Sequence, residues 1–144
     1  MDTGLMFSSQ KDYWETPQSL FDELNAEFHF TLDAAASDTN HKCDRYFTEQ
    51  DDGLRQSWAG ETVFCNPPYG RKETGEWTKK CCEEAKNPGT TVVLLIPART
   101  DRASFHDYVL GKAEIRFIRG RLKFELNGTA LNTAPFPSMI CIWR

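Results

Sequence analysis

A chain of 144 residues suits a single core, and 40% hydrophobic against 26% charged residues is the balance of a globular domain. No run of about 18 apolar residues offers a membrane span, and Met1–Trp14 lacks the basic-then-apolar order of a secretory signal, so the cytoplasm is the expected compartment. The net charge of −4 hides an asymmetry: residues 1–65 carry 4 Lys/Arg against 13 Asp/Glu, and residues 66–144 carry 13 against 8. An acidic half suits a cationic ligand and a basic half suits a polyanion, although solvated surface explains both equally well.

In chain order, residues 1–12 are polar and read as a loose terminus, with one domain over 13–144. Thr16-Pro17 predicts a helix start, with Thr16 as cap, and Leu20, Phe21, Leu24 and Phe28 follow at helical spacing. The alternation from Phe28 to Leu32 predicts a strand ending near Asp33. Residues 37–60 are irregular, anchored by Tyr46, Phe47, Leu54 and Trp58. A short strand, Thr62–Cys65, stops at Asn66-Pro67-Pro68, and a helix is expected over 75–86 with Trp77, Cys81 and Ala85 on one face. Thr90–Ile96 is a continuous β-branched run, as in strands buried on both faces of a parallel sheet. A weak helix over 103–111, strands near 114–118 and 121–126 flanking Arg119-Gly120, and a last strand over 139–143 complete the pattern. The sum is an α/β chain with a mostly parallel sheet. The five cysteines are odd in number and lack CxxC spacing, and the three histidines are scattered, so neither a disulfide framework nor a metal site is expected.

Asn66-Pro67-Pro68-Tyr69 carries the chemistry. It follows a predicted strand, where loops of open α/β sheets bind ligands. Two prolines fix two φ angles and remove two donors, leaving a rigid loop of acceptors. An exocyclic base amine is a poor nucleophile because its lone pair is delocalised into the ring. The Asn66 side-chain oxygen and the Pro67 carbonyl, set on its two protons, favour the pyramidal nitrogen that reacts. Tyr69 offers a face for a base taken out of its stack. The plain alternative is a Pro-Pro turn ending a strand. Cys65 lies within an apolar run and reads as filler.

With these pieces in place the chain resembles the phage-type, Dam-like DNA N6-adenine methyltransferases, amino-methyltransferases with a (D/N)PP(Y/F) loop. The resemblance covers roughly residues 13–143. It rests on Trp14-x-Thr-Pro17, Thr31-Leu-Asp-Ala-Ala-Ala36 with Asn40, Tyr46-Phe-Thr, Asp52-Gly-Leu54, Trp58, Asn66-Pro-Pro-Tyr-Gly70, Trp77-x-x-Lys80, Val93-Leu-Leu-Ile-Pro97 and Gly120-Arg-Leu-x-Phe124. It implies a compact Rossmann-like methyltransferase fold with helices on both sheet faces, S-adenosyl-L-methionine as methyl donor, and DNA as partner. It further implies that Thr16 and Pro17 enclose the methionine end of the cofactor, that Asp33, Ala34 and Ala35 form the cofactor loop, and that Asp52 and Leu54 contact its adenine; Trp14, beside Thr16-Pro17, reads equally as a lining residue of the cofactor pocket and as core. Asn66 is then shared between cofactor and target amine. The usual glycine-rich loop is replaced here by Ala34-Ala35-Ala36; a helix cap is the competing role for Asp33.

Candidate phosphate contacts are Arg71 and Lys72 after the loop, Arg99 and Arg102, and Arg116, Arg119 and Arg121 around the supposed hairpin. Three other readings share the motif: a cytosine-N4 methyltransferase, a protein-glutamine methyltransferase, and a non-catalytic DNA-binding relic of the fold. The recognition sequence and the oligomeric state are not written in the chain.

Overall fold

The computed structural model describes residues 14–144, so the terminus expected to be loose over 1–12 lies outside the described residues. Helix α1 (Gln18–Phe28) begins one residue after Pro17, which takes the cap position at φ −55°; no side chain caps it. Thr16 is therefore not the cap; it turns inward and is 2% exposed. The helix stops at His29, left-handed at φ 57°, whose N–H donates to the Asn25 carbonyl while the Asn25 side-chain oxygen takes the N–H of Phe30. This stop overrides most of the strand expected over 28–33, and β1 is only Leu32–Asp33. The Phe28/Phe30 alternation instead stacks two rings on one another and sets Phe30 against Phe21 and Phe64.

A 3₁₀ turn (Gly53–Arg55), β2 (Thr62–Cys65), α2 (Arg71–Glu84), β3 (Thr91–Pro97), one π-helical turn (Phe105–Val109), β4 (Glu114–Phe117), β5 (Glu125–Leu126), β6 (Thr129–Ala130) and β7 (Ser138–Trp143) follow. The main sheet runs β1-β2-β3-β7-β4. β1, β2 and β3 pair in parallel, while β7 is antiparallel to both β3 and β4. Four of the five strands thus point the same way, with β7 reversed between two of them. Period-two alternation divides the core. Phe64, Val93, Leu95, Ile140 and Ile142 face α1 through Phe21 and Leu24. Val63, Cys65, Val92, Leu94 and Cys141 face α2 through Trp77, Cys81 and Cys82. The expected helices on both faces are present.

Two further expectations are corrected. α2 starts at Arg71 rather than near 75, because Gly70 at its cap leaves space for the Glu73 carboxylate, which lies where a Cβ would stand. No hairpin joins 114–118 to 121–126. β4 pairs with β7, and Phe124 is instead a fully buried plug packed edge-on to Trp14 and Tyr69. Glu125–Leu126 pairs with Thr129–Ala130 through Asn127-Gly128, both at positive φ, as a two-residue hairpin turn requires.

Candidate active site

β1 and β2 lie side by side and end together, so Asp33 and Asn66 emerge at the same edge of the sheet. Between them and the 37–54 segment opens a cavity of about 720 Å³. Among its lining residues are Trp14, Thr16, Asp33, Ala34, Ala35, Asp52, Leu54, Asn66, Pro67 and Pro68. Pro17 is buried at the helix start and does not reach it. The lining holds six carboxylates, from Glu15, Asp33, Asp38, Glu49, Asp52 and Glu73, against the single ammonium of Lys42. Such a cavity attracts a cation.

Asp33 is 4% exposed and caps a turn rather than a helix. Its Oδ2 accepts the N–H of Lys42 at 2.9 Å and its Oδ1 that of Ala35 at 3.4 Å. Burial outweighs these bonds and lifts its pKa to about 6. The missing loop glycine has a substitute across the cavity. At Gly53 a Cβ would stand 2.3 Å from the Ala34 carbonyl oxygen and 2.9 Å from the Trp77 ring. Close approach is therefore supplied from the 3₁₀ turn. The indole of Trp58 donates to the Gly53 carbonyl at 3.0 Å and holds that turn down. Asp52, at φ 56°, pairs with Arg55 at 3.3 Å.

Asn66 has its amide orientation set from one side. Its Nδ2 donates to the Trp14 carbonyl at 2.5 Å and to Thr16 Oγ1 at 2.9 Å. Its Oδ1 is buried and accepts no hydrogen bond among the described residues. A buried orphan acceptor is costly unless something else supplies its donor. Cys65, beside it, is fully buried, and burial pushes its thiol well up, so it is no thiolate nucleophile.

Tyr69 does not line the large cavity. It borders a second one of about 350 Å³, with Trp14, Pro97, Arg99, Arg102, Pro135 and Phe136. Its hydroxyl donates to the Leu95 carbonyl at 3.1 Å, and its ring meets Phe124 and Phe136 edge-on. Trp14 walls both cavities. The second has two arginines and no carboxylate in its lining. Burial, then the charges of Arg99 and Arg71, lower the pKa of Arg102, so these three guanidiniums share one field. Arg99 also lies over the Phe136 ring, 5.8 Å from its centroid.

The profile of the family described as DNA N-6-adenine-methyltransferase (Dam) matches residues 5–144. The chain belongs to this family. It is 29% identical over 120 residues to the DNA N-6-adenine-methyltransferase of Escherichia phage T1, covering 82% of this chain and 49% of that one. It is 28% identical over 128 residues to the protein of the same name from Haemophilus phage HP1, covering 87% and 73%. It thus spans about half the length of the T1 protein.

Within this Dam-family chain the seven basic candidates separate. Arg71, Arg99 and Arg102 cluster beside the second cavity, whereas Lys72 pairs with Glu76 at 3.8 Å. Arg119 and Arg121 are exposed after the end of β4. Arg116 is already paired. Its guanidinium binds Glu27 with both terminal nitrogens, at 2.7 and 2.8 Å, and Glu114 through Nε at 2.6 Å. Glu27 lies in the last turn of α1 and Glu114 opens β4, at the amino ends of the parallel strands, whereas the Asn66 loop follows the carboxyl end of β2. Sequence reasoning also missed Phe136 and Pro135, which carry no motif, and Lys42, whose backbone amide fixes Asp33. No helix among the described residues is long and apolar enough to cross a membrane. No group of three or more potential metal ligands occurs among them.

Proposed function

We propose that this chain transfers the methyl group of S-adenosyl-L-methionine to the N6 amine of adenine in DNA. One observation carries the reading: the buried, unpartnered Oδ1 of Asn66, a residue in the wall of an acidic cavity that shares Trp14 with an aromatic, arginine-bordered one. The residues fit the cofactor. The large cavity is within the range of small-molecule sites, and its carboxylates suit a molecule carrying an ammonium and a sulfonium. Asp33 would pair with the ammonium, and Asp52 and Leu54 would border the adenine. Bound there, the cofactor supplies an electrophilic methyl group.

The chain's residues do the rest by position and charge. Trp14 and Thr16 hold the Asn66 amide so that its oxygen accepts one proton of the target amine, and the Pro67 carbonyl takes the other. Both acceptors favour the pyramidal nitrogen and the positive charge that grows on it. Tyr69 and Phe136 form part of the wall of the second cavity, which gives the extruded base room. Arg71, Arg99 and Arg102 hold neighbouring phosphates, which positions the strand without reading it. The sheet and its two helical faces support a compact Rossmann-like methyltransferase fold, with a single domain expected over residues 13–144. Relatives from two phages support a phage or prophage origin, with the bacterial cytoplasm as the expected setting.

Incubation of the protein with tritiated S-adenosyl-L-methionine and unmethylated DNA, followed by nucleoside analysis, tests this. N6-methyladenine is expected. N4-methylcytosine alone would overturn the base but keep the amine chemistry, and label found only on protein would overturn both.

A further inference from the structure

Thr16 is a buried hydroxyl that the helix start leaves unexplained. It stands next to Pro17, in the place of a cap, yet no side chain caps α1 and the threonine is 2% exposed. Its Oγ1 accepts from Nδ2 of Asn66 at 2.9 Å. The Trp14 carbonyl accepts from the same nitrogen. A primary amide has two ends that nearly match in shape but oppose in hydrogen bonding: one donates twice, the other only accepts. Rotated by 180°, Asn66 would turn two N–H groups towards the protons of the target amine. The donors of enzyme and substrate would then face each other. Two acceptors on the Nδ2 side, one backbone and one hydroxyl, make that rotation unfavourable and leave Oδ1 as the end that faces the reacting centre.

We infer that Thr16 is a positioning residue for methyl transfer, acting through the amide orientation of Asn66 rather than through the cofactor. The inference rests on the proposed amine methylation. Segment 14–16 is itself pinned: the Glu15 carbonyl accepts the N–H of Glu125, and Glu15 Oε1 accepts that of Gly128 at 3.4 Å. The β5–β6 hairpin therefore holds both acceptors in place from outside the site.

The test compares Thr16→Val, which keeps shape and removes the acceptor, with Thr16→Ser, which keeps the acceptor, in steady-state methylation of DNA by the full chain. Thr16→Val should lower kcat by roughly 10- to 100-fold, since a misdirected hydrogen-bonding group at a reacting centre costs that order of rate. KM for the cofactor should stay within about twofold, because the lost interaction acts in the transition state. Thr16→Ser should restore most of the rate. Asn66→Asp supplies a second comparison. A carboxylate presents an acceptor whichever way it turns, so adding Thr16→Val to Asn66→Asp should change kcat by less than about threefold. If Thr16→Val does not fold, Thr16→Ala, which only removes atoms, takes its place. Unchanged kcat in Thr16→Val would overturn the inference, as would a raised cofactor KM at unchanged kcat. An equal loss in both Asn66 backgrounds would do the same. An Asn66→Asp protein without turnover leaves the single-variant comparison decisive. Wild-type protein that puts no label on DNA overturns the functional reading instead, so the two failures are distinguishable.

Discussion

At Asn66 one oxygen atom separates a structural turn from a catalytic one. Every other polar group of that side chain is used internally, and Oδ1 alone is left for something that donates. Asn66→Ala should therefore cut methylation roughly a hundredfold or more, while cofactor affinity by calorimetry changes little; near-normal turnover would remove the residue from the mechanism. Asp33 makes a different prediction. Its pKa is raised by burial from 3.8 to about 6, so between these values the folded apoprotein holds a proton that the unfolded chain has released. Stability from this group is accordingly highest below pH 4 and falls as pH rises towards 6. A cationic ligand beside Asp33 favours the carboxylate, so cofactor binding should strengthen as pH rises through about 6 and release a proton below it. Asp33→Ala should bind the cofactor about 1.5–3 kcal/mol more weakly and lose both the pH dependence and the proton release. Calorimetry in buffers of different ionisation enthalpy measures all three; a wild-type protein without that pH dependence would separate Asp33 from the ligand. Much at this scale was legible in the chain, because rigid prolines after a strand and an acid at a strand end have local causes. The role of Thr16 was not. The same Thr-Pro pair that starts helices also turns a hydroxyl inward, and only the position of Asn66, 50 residues away, decides between them.

At the scale of elements, strands with a continuous apolar run were legible and strands set by pairing were not. β3 and β7 are each long enough to be buried on both faces, and their residue types say so. β1 has two residues, and the helix before it ends at a left-handed histidine that no local rule requires. The supposed hairpin at 114–126 failed because β4 gains a longer partner in β7 and Phe124 gains a place in an aromatic cluster. The loop after β1 shows the same division. Ala34-Ala35-Ala36 is visibly not glycine-rich, but its compensation at Gly53 depends on a tertiary contact. Gly53→Ala would bring a methyl group into the Ala34 carbonyl and the Trp77 ring, and backbone cannot yield as a flexible side chain does. About 1–3 kcal/mol of stability should be lost in denaturant titration, the usual cost of overpacking. The cavity between the 3₁₀ turn and β1 should distort, so cofactor binding should fall in the same protein. A variant as stable as wild type and equally able to bind would show that this approach is not tight.

For the molecule as a whole, the charge asymmetry of the sequence becomes a division between two cavities. The acidic first half supplies five of the six carboxylates of the large cavity, Glu73 being the sixth, and the basic second half supplies Arg99 and Arg102 to the small one. A net charge of −4 means that attraction to DNA must be local. The structure also separates arginines that the sequence alone treats alike. Arg116 already has two carboxylate partners and an exposed setting, so Arg116→Ala should cost at most about 1 kcal/mol of stability and leave DNA affinity and its salt dependence unchanged. Burial first, and then the charges of Arg99 and Arg71, lower the pKa of Arg102, and the three guanidiniums repel one another unless an anion intervenes. If each meets a phosphate, replacing all three by alanine should weaken DNA binding and make the log–log salt slope shallower by up to about 2.7, near 0.9 for each phosphate no longer neutralised. Cofactor affinity should remain intact, because none of the three lines the acidic cavity. Fluorescence anisotropy across a salt series, with Arg116→Ala as the control, measures this. A slope unchanged in the triple variant would move the DNA track to the exposed Arg119 and Arg121 beyond β4.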